Sequence, residues 1–209
     1  DMSINMYSAG YGLEEFKKKY PDYNVTATFF VSDSLFNQAE YDEKIVKWLI
    51  EHGYSIGNHT KHHDNLSKID NDKIGNTVGY MYSKLNSIIG DNYSKIVALP
   101  FGAPYNRDSD KFPYIIDSKY KEITYHTDAI LRVGWEPEFS PFNKKVDMTY
   151  LKRCRAYDND GKDFDIEYVF RMLDKNRYIS DGNKDTIVST KSKSDMINNS
   201  YNLEVILYE

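Results

Sequence analysis

The order in which strand-patterned and helix-patterned segments alternate is the tightest constraint on this chain. Residues 24–32, NVTATFFVS, are β-branched and aromatic and predict a buried strand. Residues 41–53 predict an amphipathic helix, with Ile45, Val46, Trp48, Leu49 and Ile50 on its apolar face and Gly53 closing it. Trp48 is expected to be buried beneath that helix. A short strand over Tyr54–Asn58 follows, then a helical stretch over 67–90 with Ile74, Val78, Met81, Leu85 and Ile88 at near-helical spacing. A third strand covers 96–99 and ends at Pro100; a fourth covers 122–133. Helices are also expected over 12–20, 113–120 and 164–173, and late strands over 187–189 and 203–208. Alternation through the first two thirds argues for an α/β fold with parallel strands. Active residues of such folds sit at the carboxyl ends of strands. The segments just after Asn58, Leu99 and Val133 are therefore the places to look.

At 209 residues the chain is read as one domain, 1–209, with 181–202 as a surface excursion. No stretch of about 20 apolar residues is present, so no transmembrane helix is expected. A net charge of -5 gives no basic field for nucleic acid. A single cysteine, Cys154, excludes an internal disulfide framework and a multi-cysteine zinc site. The chain opens at Asp1 without a methionine and without a signal peptide, and is read as a trimmed product or a fragment; an exported or cell-envelope location is expected.

Four constellations could carry chemistry. His59-Thr60-Lys61-His62-His63 follows a strand, and on a helical turn His59 and His63, four apart, would present both imidazoles to one divalent metal. A third ligand, most naturally a carboxylate, must then come from elsewhere. Ala98-Leu99-Pro100-Phe101-Gly102-Ala103-Pro104 ends a strand in a loop that could aim a backbone N–H at a developing oxyanion, or could be a plain turn. His126, Asp128 and Arg132 share one face of a strand, so His126 could serve as an acid tuned by Asp128, on a strand expected to run toward the rim that carries His59. Asp158 to Asp163 reads as an acidic turn.

The run ATFFV (27–31), a helix, and then Gly53-x-x-Ile56-Gly57-Asn58-His59-Thr60-x-x-His63-x-x-Leu66 resembles the polysaccharide deacetylases of carbohydrate esterase family 4, the NodB-homology domain. Pro100-Phe101-Gly102 looks like that family's later P-Y-G loop. Residues 133–135, 140–142 and 178–182 are similar to a clostridial and bacillar branch of it. The resemblance implies a distorted (β/α)7 barrel, whose opening strand this chain begins too late to show whole. It also implies an Asp-His-His metal triad with His59 and His63 as ligands, and the Phe101 N–H at the oxyanion. Asp1 would be the third ligand if it is the second of the family's two opening aspartates; the alternative is that the acidic pair is absent. The metal would be zinc, with cobalt, manganese or nickel as substitutes.

The chain departs from the pattern in two further places. Ala98 stands where the family carries an arginine, and no histidine follows His126. His126 is therefore the candidate acid. The resulting expectation is a metal-dependent hydrolase that removes N-acetyl groups from peptidoglycan or a related cell-envelope polysaccharide. The alternative is a catalytically degenerate carbohydrate-binding domain that keeps its metal.

Overall fold

The computed structural model of the protein describes residues 5–162 and 165–209. Asp1 and the start of the expected 164–173 helix lie outside the described residues. Helix α1 (Ala9–Lys19) is capped by the Ser8 hydroxyl, which accepts from the Tyr11 N–H, and three lysines fill its last turn, where the helix dipole favours cations. Strand β1 (Thr28–Val31), helix α2 (Asp42–Glu51), strand β2 (Ser55–Asn58), helix α3 (Val78–Ile89) and strand β3 (Ile96–Ala98) follow. Helix α4 (Phe112–Ile116), strands β4 (Asp117–Tyr120), β5 (Ile123–His126), β6 (Ala129–Val133) and β7 (Leu151–Arg153), helix α5 (Ile166–Asn176), and strands β8 (Thr186–Thr190) and β9 (Glu204–Tyr208) complete the order.

Five strands make one wholly parallel sheet in the order β1-β2-β3-β6-β7. The order never reverses, so each crossover advances one place along the sheet. The α/β expectation with parallel strands holds. Helices α2, α3 and α4 cover one face through two apolar clusters. Val46, Leu49, Ile56, Met81 and Leu85 build the first; Val78, Val97, Leu99, Phe112, Ile115 and Ile130 build the second. The apolar positions read as helical at 74, 78, 81 and 85 are fully buried. Trp48 corrects an expectation: it is only half-buried, and its indole stacks on the His52 ring at 3.8 Å, while Val46 and Leu49 face the core.

The fourth expected strand is in fact two. Residues 123–126 pair antiparallel with β4, and only 129–133 join the parallel sheet. The break lies at buried Thr127, whose N–H donates to Ile116 O and whose hydroxyl donates to Ile115 O. The next N–H, of Asp128, donates to Lys95 O and starts the new pairing. Likewise, the single helix expected over 67–90 is two 3-10 turns, Leu66–Lys68 and Asn71–Asn76, followed by α3. Residues 181–202 contain β8 and a 3-10 turn, and β8 pairs in parallel with β9.

Two contacts fix how this fold presents its carboxyl edge. Beyond β1, the Asp33 carboxylate accepts from Lys84 Nζ and from the Tyr80 hydroxyl, both at 2.7 Å, and binds the β1 exit to α3. The lysine hydrogen bond holds the Asp33 pKa below the ordinary 3.8, against burial, which raises it; in turn Tyr80 is pushed up to about 12, first by its bond to Asp33. On the other side of α3, Gly75 lets β4 approach: a Cβ there would lie 2.0 Å from the Lys119 carbonyl oxygen.

Gly75→Ala should therefore lower stability by about 1–3 kcal/mol, an overpacking cost, read as a lower urea midpoint at unchanged slope; an unshifted midpoint would contradict the packing of the β4–β5 hairpin on this turn. Asp33→Asn should cost about 1–2 kcal/mol at neutral pH, a charged hydrogen bond discounted for partial exposure. The sign follows from the lowered pKa: the stabilisation is complete above the unfolded carboxylate value and is lost as pH falls through the folded one. The wild-type and Asp33→Asn unfolding curves should thus converge in acid, once the pH has fallen below the lowered pKa of the folded carboxylate. A constant gap from pH 7 to pH 2 would show that the carboxylate charge is not what matters.

Candidate metal centre

The loop after β2 is built from its own polar side chains. Asn58, the last residue of β2, is fully buried. Its amide donates to Val78 O at 2.9 Å, and its Oδ1 accepts from the Thr60 N–H at 2.9 Å, so the start of α3 and the loop are tied through one side chain. Thr60, also fully buried, accepts from the Asp64 N–H at 2.7 Å. The Thr77 hydroxyl donates to the Asp64 carboxylate and accepts from the Lys61 N–H. The Lys61 carbonyl accepts from the Asp33 N–H at 2.8 Å.

These bonds replace a helix rather than start one, since short polar side chains offer the backbone alternative partners. Thr60 and His63 sit at φ +65° and +57°, in the left-handed region. That conformation is unfavourable for a β-branched residue such as Thr60 and is held by the surrounding bonds. The helical turn expected to align His59 with His63 is therefore absent. The two rings meet all the same, with centroids 4.8 Å apart and planes at 72°, because the loop doubles back.

His59 is fixed from both ends. Its N–H donates to Val31 O at 2.9 Å, and its Nδ1 lies 2.6 Å from Ala98 O. A carbonyl only accepts, so Nδ1 carries the hydrogen and Nε2 keeps its lone pair. Burial pushes the His59 pKa down, opposed by the bond to Ala98 and assisted by the nearby charges of His63 and Arg153. A neutral imidazole with one nitrogen hydrogen-bonded and the other free is the form in which histidine ligates a metal. His63 is more exposed, and its ring packs edge-on against Phe101 at 4.7 Å.

The loop after β3 completes the group. Leu99 N donates to Leu131 O, and Gly102 N and Ala103 N donate to Leu99 O and Pro100 O. Phe101 adopts φ +57° and is 56% exposed. Gly102 adopts φ +73°, and a Cβ there would lie 2.7 Å from that of Val133. Only glycine lets this loop sit against the end of β6.

His59, His63 and Phe101 are thus brought together at the carboxyl edge. His126 and Asp128 are not. His126 ends β5 in the hairpin, where Nδ1 meets Asp117 at 2.6 Å and Nε2 meets Asp128 at 3.7 Å. Asp128 bonds to Lys95 ahead of β3, which puts both residues at the amino edge of the sheet. Roughly 13 Å of strand, four residues at about 3.3 Å each, separates the two edges. The expectation that the strand carrying His126 runs toward the rim of His59 is corrected: the chain turns at Thr127 before it enters the sheet. Asp1 lies outside the described residues, and among the described residues no three His, Cys, Asp or Glu side chains cluster closely enough to hold a metal. The donors on view are two imidazoles, one with its tautomer set, which fits part of a divalent site.

Sequence reasoning missed Arg153, the last residue of β7, whose Nη2 lies 3.5 Å from Leu99 O. It fell in a segment that periodicity left unassigned, and its three-residue strand is too short to show alternation.

The sequence model of the family described as Polysaccharide deacetylase matches residues 18–112, the segment that holds His59, His63 and Phe101. Over 85 residues the chain is 38% identical to a peptidoglycan-N-acetylglucosamine deacetylase of Bacillus cereus, a match covering 40% of this chain and 29% of that protein. The chain therefore spans less than a third of the length of this curated relative. It is also 33% identical to a solved peptidoglycan N-acetylglucosamine deacetylase in complex with 4-naphthalen-1-yl-N-oxidanyl-benzamide, with 43% of this chain and 40% of that chain covered and a TM-score of 0.35. The likeness to polysaccharide deacetylases thus lies in residues 18–112, which hold the histidine loop after β2 and the Pro100-Phe101-Gly102 loop after β3.

Proposed function

We propose that this chain is a metal-dependent polysaccharide N-deacetylase that hydrolyses N-acetyl groups on a cell-envelope glycan, peptidoglycan or a close relative. The observation that carries the reading is the convergence of His59, His63 and Phe101 at one strand edge, inside the segment that matches the family. The name of the Bacillus cereus relative supports the choice of glycan. His59 and His63 would hold the ion, zinc first and cobalt, manganese or nickel as substitutes, with Asp1 as third ligand. When bound, such an ion polarises an amide carbonyl and lowers the pKa of water.

The chain's own residues do the rest. The Ala98 carbonyl keeps His59 in the ligating tautomer. The Phe101 N–H faces the acetyl oxygen as it gains charge. The Phe101 ring packs against His63 and limits how far that imidazole can swing. The parallel sheet is, in this reading, the wall of a distorted (β/α)7 barrel within one domain, and the protein works at the cell envelope.

The test strips the protein with chelator, reloads it with each metal and measures acetate release from peptidoglycan and chitin oligomers. Wild type should release acetate. The double variant His59→Ala/His63→Ala should lose bound metal by mass spectrometry and lose activity by roughly a hundredfold or more, as expected for loss of a Lewis acid. Unchanged metal content in the double variant would contradict the metal assignment. Glycan binding without acetate release, under every metal, would contradict the deacetylase and leave a binding domain.

A further inference from the structure

At the same strand edge, Arg153 is a half-buried cation without a charged partner among the described residues. It ends β7, in register with Val133, the residue that Gly102 abuts. Its only hydrogen bonds among the described residues are long ones to neutral carbonyls, Nη2 to Leu99 O at 3.5 Å and Nε to Arg132 O at 3.4 Å. Burial depresses its pKa, and the charge that acts on it comes from Arg155, which adds repulsion. Its neighbours are already engaged: Arg132 lies 4.6 Å over the Tyr150 ring and donates to Val133 O, and Lys152 pairs with Glu136 at 3.4 Å. Burying an unpaired guanidinium is costly, and five N–H donors in a planar fork match a carboxylate better than two distant carbonyls do. Arg153 is also close enough to His59 to influence its ionisation.

We infer that Arg153 is the carboxylate-binding residue of the candidate site, an inference that rests on the deacetylase reading. The carboxylate has two possible sources. One is the acetate that amide hydrolysis releases. The other is a carboxylate carried by the glycan beside the N-acetyl group.

The test uses the metal-loaded chain and NMR-detected titration with three probes: sodium acetate, N-acetylglucosamine, and N-acetylmuramic acid, which adds a lactyl carboxylate. If the seat serves the product, Arg153→Gln should weaken acetate binding about tenfold or more, the usual scale for losing a charge-assisted pair. If it serves the glycan, wild type should prefer N-acetylmuramic acid over N-acetylglucosamine by about tenfold, and Arg153→Gln should erase that preference. Arg153→Lys, which keeps the charge but not the fork, should fall between the two and supplies the answer should the glutamine variant fail to fold. Equal carboxylate binding by wild type and the folded variants, or no carboxylate binding by wild type, overturns the inference. Acetate release measured on the same samples separates the two readings. Release with Arg153-independent binding removes only the seat; Arg153-dependent binding without release removes only the deacetylase.

Discussion

The hydrogen bond from His59 Nδ1 to the Ala98 carbonyl is the contact on which the candidate site depends. It exists because β2 and β3 are adjacent and parallel, with Asn58 opposite Val97. One residue further along each strand, His59 stands beside Ala98. The β2–β3 ladder has ended there, although Ala98 still pairs with Leu131 on its other side, so the Ala98 carbonyl is available to the His59 side chain rather than to β2. The pairing of two short strands thereby sets a tautomer. Parallel sheets place such chain ends together at one edge, which is the physical reason that sites of α/β folds gather there.

The edge stores local strain. Thr60, His63 and Phe101 are non-glycine residues in the left-handed region, where each costs of order 1–3 kcal/mol and persists only when its surroundings over-determine it. Asn58, Thr60, Asp64 and Thr77 do so for the histidine loop through linked hydrogen bonds, and the Leu99–Ala103 turn does so for Phe101. The result is a loop that brings two imidazoles and a phenyl ring into contact without regular secondary structure. Opposite them, Arg153 adds positive charge in a chain whose overall balance is -5.

Much of this was legible in the residues. The apolar periodicity of 74–88 and the β-branched and aromatic run at 24–32 predicted α3 and β1, each over a longer stretch than the element formed, because burial selects those residue types at those spacings. Proximity of His59 to His63 was predicted, but through a helical turn. Periodicity could not reveal that Asn58 and Thr60 would satisfy the backbone locally, since that depends on α3 arriving alongside. His126 was misplaced for a related reason. Alternation continues through Thr127, and only the tertiary bonds of Thr127 to residues 115 and 116 show that the chain changes partners there. Arg153 was unreadable because its significance is the lack of a described acidic partner, a property of the folded surroundings and not of its sequence neighbours.

The state of His59 tests this account most directly. Long-range nitrogen–proton NMR of the metal-free protein at neutral pH reads which ring nitrogen is protonated. The account predicts a neutral ring with the hydrogen on Nδ1 and an unprotonated Nε2, which then shifts on addition of zinc. A ring protonated at Nε2, or doubly protonated at neutral pH, would contradict it.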